Sequence, residues 1–389
     1  MQIFLFSLGV VLFIGLILVH EWGHFFVARR GKVDVEEFGL GFPPRAWSKK
    51  HKSGMILSLN WLPLGGFVKL KGEYDADERK GSFGAASLPV KSKILLAGVT
   101  MNLITGLFLL TLLALIGMPK LIDNQFSVSR DTKITHQNVY AGYVVPSSPA
   151  ASIGLKSQDI IQKVSYNNRT NDITSAQQLH DELTVLAGQR IQLTYKHKDQ
   201  TQTKSLKLLS DKEVNASLNT GNPKGHLGIT PTELQIRRST WSAPIVALGF
   251  TKQLIVLTLQ GLGHAVAGLG SAIAGIVTNN HKARENGQAQ ATEQTGGIVA
   301  IMAVLWNGGA LGINFILMIV AVVSLTLAII NILPIPALDG GRLFVMLFSR
   351  KVLRHPLSQS VEEWVHGTGM IIILTLFALI TIVDVRRFF

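Results

Sequence analysis

His20, Glu21 and His24 fall in the run Val19-His20-Glu21-Trp22-Gly23-His24-Phe25, an instance of H-E-x-x-H. On a helix this spacing puts the two histidines one turn apart on one face, where both can bind a single metal ion. Glu21 lies beside that face. A carboxylate there can take a proton from an attacking water and later deliver it to a leaving amine, the division of labour in a zinc peptidase. Five-residue matches of this kind also arise by chance, so the surroundings decide. Ile3 to Val19 is almost wholly apolar, interrupted only by Ser7 and glycines, and Phe25 to Ala28 continues the pattern. The ionisable groups therefore sit in what reads as a membrane helix, where each is costly unless something compensates it. A metal ion supplies that compensation. The alternative, a signal-peptide core followed by incidental polar residues, lacks a small-residue cleavage site and leaves Glu21 unexplained.

A catalytic zinc takes a third protein ligand and keeps one position open. The chain has no cysteine, so the ligand must be His, Asp or Glu. No third histidine follows at the longer metzincin spacing. Glu36 and Glu37 lie beyond the membrane end in a charged loop and read as solvated, and His264 reads as an interfacial residue. Asp339 lies in Asn331-Ile332-Leu333-Pro334-Ile335-Pro336-Ala337-Leu338-Asp339-Gly340-Gly341-Arg342. Pro334 and Pro336 deny helical hydrogen bonds, so a membrane helix must break here and can turn an acid inward. Asp339 is the expected third ligand.

The elements that must position these residues are mostly membrane spans. The 389 residues are 47% hydrophobic and only 16% charged, and the formal net charge is +13. The basic residues cluster beside apolar segments, as positive-inside loops and headgroup contacts require, which argues against nucleic acid as partner. A first span, 1–30, ends on Arg29 and Arg30, with Lys32, Arg45, Lys49, Lys50 and Lys52 beyond it. The metal motif is therefore expected at the cytoplasmic end. Residues 31–93 form a cytoplasmic-side segment containing 55–71, MILSLNWLPLGGFVKLK, two β-prone runs broken by Pro63 and by Gly65-Gly66. This reads as a hairpin too apolar for a cytosolic turn, and hence as a re-entrant loop lining a site. The second span, 94–118, carries Asn102, an amide that serves as interhelical glue or braces a polar site. Within 241–295, the apolar text of 241–277 could form a membrane span, but Lys252, Gln253, Gln260 and His264 fit a pair of amphipathic surface helices slightly better, followed by a polar loop. The region 296–355 holds the third span and the proline break, with Arg342, Arg350, Lys351 and Arg354 again marking the cytoplasmic side. The last span, 362–389, ends on Arg386 and Arg387 on the outer side, a conflict with the charge rule that the earlier helices outweigh.

Residues 121–231 differ in composition. They are polar, with alternating strands such as 191–195 and a short amphipathic helix near 175–186, and form an inserted domain of ordinary size. Gly142-Tyr143-Val144-Val145-Pro146-Ser147-Ser148-Pro149-Ala150-Ala151, then Gly154-Leu155-Lys156 and Asp159-Ile160-Ile161, resembles the SPAxxAGLxxGDxI segment of PDZ domains. Ile153 and Gln158 replace the usual Ala and Gly. Such domains take a peptide by strand addition, and the resemblance places that peptide at Tyr140, Ala141, Gly142 and Tyr143.

HEWGH at 20–24 and NILPIPALDGG at 331–341 together closely resemble the two motifs of the site-2 protease family of intramembrane metalloproteases, within it the regulator-of-sigma-E protease type. The resemblance implies one zinc ion per chain, held by His20, His24 and Asp339, with Glu21 as general base and acid. It implies substrate contacts at Asn331 and Pro334 and at Leu64, Gly65 and Gly66 of a membrane-dipping β-loop. Val383-Asp384 fits the usual ending. The family's Gly-Pro before the second-span Asn is Gly98-Val99 here, its third-span Asn is Thr326, and its Gly-Pro-x-Gly-Ile is Gly296-Gly297-Ile298-Val299-Ala300. Only one PDZ-like domain is present, whereas some members carry two. The expected architecture is a polytopic α-helical membrane protein of about four spans with a re-entrant β-loop and an inserted α+β PDZ-like domain. It belongs in a bacterial cytoplasmic membrane, with the site toward the cytoplasm and the PDZ-like domain outside. Its expected substrates are single-pass membrane proteins such as anti-sigma factors or leftover signal peptides, with no obligatory protein partner evident. A non-catalytic PDZ scaffold would be favoured by loss of Glu21, which is intact. A metal or proton transporter would call for inverted repeats, which are not apparent.

Overall fold

The computed structural model describes residues 2–197, 200–218, 223–278 and 298–388. In chain order the helices are α1 (Gln2–Arg30), α2 (Leu88–Ile116), α3 (Pro149–Ser152), α4 (Ala176–Val185), α5 (Asp211–Leu218), α6 (Ala243–Val277), α7 (Ile298–Gly308), α8 (Ile313–Asn331), α9 (Asp339–Phe348) and α10 (Gln359–Phe388). The strands are β1 (Val35–Lys50), β2 (Ile56–Leu70), β3 (Met118–Pro119), β4 (Lys133–Val144), β5 (Ile160–Tyr166), β6 (Arg169–Asp172), β7 (Arg190–His197), β8 (Gln200–Lys207) and β9 (Ile229–Arg238). They fall into two compact units, Met1–Leu113 with Ala243–Phe389, and Ala114–Ser242.

In the first unit, five helices are long and apolar enough to cross a membrane: α1, α2, α6 over Ala243–Gly268, α8, and α10 over Gln359–Ile382. The chain is a polytopic membrane protein. The fifth helix arises from 241–277, where a pair of surface helices was expected. It is one 35-residue helix, because after Pro244 no residue in it denies a main-chain hydrogen bond. The expected polar loop at 279–295, and Gly296 and Gly297, lie outside the described residues. α2 begins earlier than hydropathy suggests because Lys91 near its start is buried in an ion pair rather than solvated.

The re-entrant segment is strand, but it is not a hairpin on its own. β2 pairs with β1, whose text reads as a charged loop, and both strands double back. Residues 35–40 of β1 pair with 66–70 on one side and with 56–59 on the other, while 45–50 pair with 56–60. The missed signal was the period-2 burial that starts at Val35 and runs toward Phe42. Glu37 is buried here: Ser58 Oγ donates to it at 2.6 Å and Arg45 grips it with two guanidinium nitrogens.

A shared core of Ala28, Val35, Leu70, Phe83, Ile94 and Met346 fixes the end of α1 against the ribbon, the start of α2 and α9. Polar ties add to it. Asp75 binds the Lys91 ammonium, and Arg350 donates to it through Nε at 2.6 Å; its own N–H donates to Glu362 of α10 at 3.0 Å. At the far end of α10, Asp384 accepts the N–H of Ala300 in the first turn of α7 at 3.2 Å, a favourable place for an acid. Burial pushes the Asp75 carboxyl up, but Arg350 and Lys91 outweigh it, and its pKa lies below the usual carboxylate value. A depressed pKa means stability that is present above the ordinary carboxylate range and lost as pH falls through the folded value. Asp75→Ala strands Lys91, which is about as buried as Asp75 itself, and is expected to cost about 3–5 kcal/mol. A thermal midpoint in detergent unchanged from the wild type would contradict this.

α8 ends at Asn331 and α9 starts at Asp339, with Pro334 and Pro336 between them. The turn is tight enough that a Cβ on Gly341 would strike the Ile335 carbonyl, so only glycine lets α9 fold back there. Asp339 thereby becomes the first residue of a new helix.

The second unit is one sheet in the order β3-β9-β4-β5-β7-β8, with β6 paired to β5. Its core gathers Val139, Ala141, Ile161, Leu179, Leu193 and Tyr195. The expected amphipathic helix is α4, capped by Ser175, whose side chain accepts from the N–H of Gln178. The departures from the PDZ pattern are accommodated locally. Gln158 takes φ 72°, the left-handed conformation natural to the glycine it replaces, and Ile153 packs on the core. Asp131 ties the exit of the unit, accepting from the hydroxyls and N–H groups of Ser242 and Thr240. Those bonds hold its carboxyl well below the usual carboxylate range.

Candidate metal centre

α1 sets His20 and His24 one turn apart, and the broken helix brings Asp339 to meet them. His20 Nε2 lies 3.1 Å and His24 Nε2 3.2 Å from Asp339 Oδ2, and the two imidazole nitrogens are 3.3 Å apart. Three ligands on a tetrahedral ion at about 2.0 Å stand roughly 3.3 Å from one another. The triangle matches that edge length. Among the described residues, this is the one group of three or more His, Cys, Asp or Glu side chains close enough to share an ion.

The tautomers agree. His24 Nδ1 lies 2.8 Å from the carbonyl oxygen of Ile94, which can only accept, so the proton is on Nδ1 and Nε2 offers a lone pair. His20 Nδ1 lies 3.2 Å from the side-chain amide of Asn102, whose nitrogen faces the ring, so its tautomer follows only with that amide turned over. Amide oxygen and nitrogen are told apart by their hydrogen bonds. With the oxygen toward His20, Nδ1–H has an acceptor, and Asn102 Oδ1, otherwise buried without a partner, has a donor. Ser324 of α8 in turn donates to the Asn102 carbonyl at 2.8 Å. Asp339 Oδ2 is likewise buried without a hydrogen-bond donor. Three lone-pair atoms converging out of water require a cation among them, and two imidazoles with a carboxylate are a zinc donor set.

α2 packs against this cluster through Gly98. A Cβ there would lie 2.6 Å from His20 Nε2 and would strike His24 as well. Glu21 sits within electrostatic range of both histidines and Asp339. Gly66 of β2 lies over it, for a Cβ on Gly66 would stand 2.9 Å from Glu21 Cγ. The outer side of the β2 run 66–70 pairs with no strand among the described residues. Asn331 closes α8 beside the break, and among the described residues its amide has no hydrogen-bond partner. Pro334 is exposed. The side chains of Pro63 and Leu64 lie outside the described residues.

The rejected candidates stay apart from the cluster. Glu36 pairs with Lys69, His264 is exposed on α6, and Glu37 is held by Arg45 and Ser58. In the second unit the assignment of a peptide to Tyr140, Ala141, Gly142 and Tyr143 needs correction. β4 is an interior strand, bonded to β9 on one side and to β5 on the other, and Ala141 exchanges both main-chain bonds with the 158–159 turn. No edge is left there for an added strand. On this side of β4 the open edge belongs to β9, which β3 pairs with only at Ile236 and Arg237, the Lys120 N–H adding a bond to the Gln235 carbonyl.

A model of peptidase family M50 matches residues 8–376. The chain belongs to that family. Membership makes it a zinc-dependent metalloendopeptidase, in keeping with the donor set. It is 27% identical to a candidate zinc metalloprotease of Clostridium perfringens over 381 residues, covering 97% of each chain. It is 28% identical to a similarly named protein of Campylobacter jejuni, over 96% of this chain and 90% of the other. With the regulator of sigma-E protease RseP of Salmonella typhimurium it shares 25% identity over 99% of this chain and 98% of the other. Within this M50 site, Ile94 and Ser324 escaped sequence reading because they act through a carbonyl and a backbone contact, neither of which residue type reveals, and Gly98 stood out only through the family's Gly-Pro, not as a contact to the histidines.

Proposed function

We propose that the chain is an intramembrane protease that cuts transmembrane segments of other membrane proteins near the cytoplasmic face. The reading is carried by one observation: a zinc donor set converging between helices of membrane-spanning length, beside an unpaired strand. His20, His24 and Asp339 would hold the zinc, which would supply Lewis-acid polarisation of the scissile carbonyl. Glu21 moves the proton from attacking water to the leaving amine nitrogen. Asn102 and the Ile94 carbonyl keep both imidazoles in the binding tautomer. A peptide bond inside a helix is shielded, so the substrate unwinds and adds as a strand along the outer edge of 66–70, with Gly65, Gly66 and the Asn331 amide against it. Leu59 pairs with both Leu40 and Trp47, so it belongs to the inner ribbon and not to that edge. Exposed Trp47, Trp61 and Leu62 on the same ribbon suit a segment dipping into lipid.

The basic residues after α1 and α9 support a site toward the cytoplasm, with residues 121–231 on the other side. That inserted domain selects substrates, taking an extended terminus at the open edge of β9 beside α4, where the Ala176 N–H already meets Glu233. The test is a reconstituted assay with a short single-pass substrate and the same substrate carrying a bulky outer domain. Full-length protein should cut the short one within its apolar segment and lose activity to a chelator. A variant with 121–231 replaced by a flexible linker should cut both. Cleavage outside the apolar segment, or loss of short-substrate cleavage in a zinc-replete linker variant, would overturn the assignment.

Gly98 gives a separate test of the site. Gly98→Ala is expected to lower zinc affinity about tenfold or more by pushing the imidazoles apart. Chelator competition reads this directly, and an unchanged affinity would mean α2 does not press on the ligands.

A further inference from the structure

On the flank of α1 beside the histidine-bearing face, α1 and α2 leave a cavity of about 440 Å³ between them. Its floor is small. A Cβ on Gly23 would stand 2.7 Å from the Ala97 carbonyl, so the two helices nearly touch there. One wall is Trp22 stacked on Phe26 at 5.3 Å between ring centroids, and the Arg30 guanidinium lies over Phe26 at 5.0 Å. Across the groove stand Lys93 and Thr100 of α2.

The helices run in opposite directions, for His24 meets the Ile94 carbonyl and a Cβ on Gly31 would press Val90. Arg30 and Lys93 therefore stand at the same end of the groove. Among the described residues neither is in an ion pair, and no acidic side chain lines the cavity. From Arg30 to Trp22 the wall runs about 12 Å at the rise of an α-helix, most of the roughly 15 Å that half a hydrocarbon core provides.

We propose that this groove binds an anionic phospholipid, with one acyl chain along the Gly23–Ala97 floor and the headgroup phosphate between Lys93 and Arg30. An acyl chain fits better than a peptide. Both walls are helices with their main-chain bonds spent internally, and Thr100 Oγ1 already donates to the Leu96 carbonyl at 2.8 Å, so a peptide would find no partners for its backbone. The two cations supply charge complementarity at the depth where headgroups lie. The inference needs α1 and α2 to cross the bilayer and does not depend on which bond the enzyme cuts.

Native mass spectrometry of the full-length zinc-loaded protein, titrated with phosphatidylglycerol or with phosphatidylcholine of the same acyl chains, tests it. The wild type should prefer phosphatidylglycerol roughly tenfold. Lys93→Gln with Arg30→Gln should bring that preference close to unity with zinc content unchanged. Thr100→Phe, which fills the groove from its exposed rim, should weaken both lipids. Equal binding of the two lipids by the wild type, a preference that survives the double substitution, full binding by Thr100→Phe, or a peptide in place of a lipid would each overturn the proposal.

Discussion

Glu21→Gln should keep its zinc and lose proteolysis by roughly three orders of magnitude or more, because the amide preserves the shape of the side chain but cannot carry a proton. The expectation rests on placement: Glu21 lies beside the histidines without being one of the converging donors, and Gly66 of β2 covers it. A bound segment along 66–70 would therefore pass over the carboxylate. Zinc content by elemental analysis and turnover on a transmembrane reporter need to be measured on the same preparation. Near-normal turnover would remove Glu21 from the chemistry. Loss of zinc would make it a ligand instead, and the geometry of the other three would need another explanation.

Asp339→Ala should do the opposite and lose the metal first. It removes one of three donors and leaves two imidazoles facing a gap, so affinity should fall at least about a hundredfold. Competition with a chromophoric chelator measures it. Asp339→Asn separates charge from shape, since its amide can still reach the site but brings no negative charge to offset the ion. Full-affinity zinc binding by the alanine variant would mean that the third ligand lies elsewhere, and the turn at Gly341 would have no role in building the site.

The cluster was legible because each member is a costly residue in an apolar context: the donors His20 and His24 with Glu21 beside them inside α1, and the donor Asp339 after two prolines. The inserted domain was legible from its change in composition and from α4. What stayed hidden was pairing between segments distant in sequence. Residues 35–50 look like a charged loop because Glu36, Glu37, Arg45 and the lysines dominate their text, yet Glu37 is buried against Arg45 and Ser58, so the strand β1 went unread. The same limit misplaced the peptide edge. Local text marks 140–143 as strand but does not say that β9, contributed from the far end of the domain, occupies its side. α6 is one helix where a pair was expected, because helix continuity depends on where prolines are absent.

The contacts of α10 bear on how the chain is made. Hydrocarbon offers helices no hydrophobic reward for leaving lipid, so the few polar contacts specify which helices adjoin. Two of them, Glu362 on the Asp75 N–H and Asp384 on the Ala300 N–H, are supplied by α10, which leaves the ribosome after the segments it fastens. Until α10 is synthesised, the first turn of α7 lacks this acid, and the loop before α2 holds its charges without the acceptor for its backbone. These earlier segments are thus fastened by a helix made after them. A chain stopped short of α10 would present the cell's quality-control proteases with an assembly whose donors are all in place and whose fastening is not.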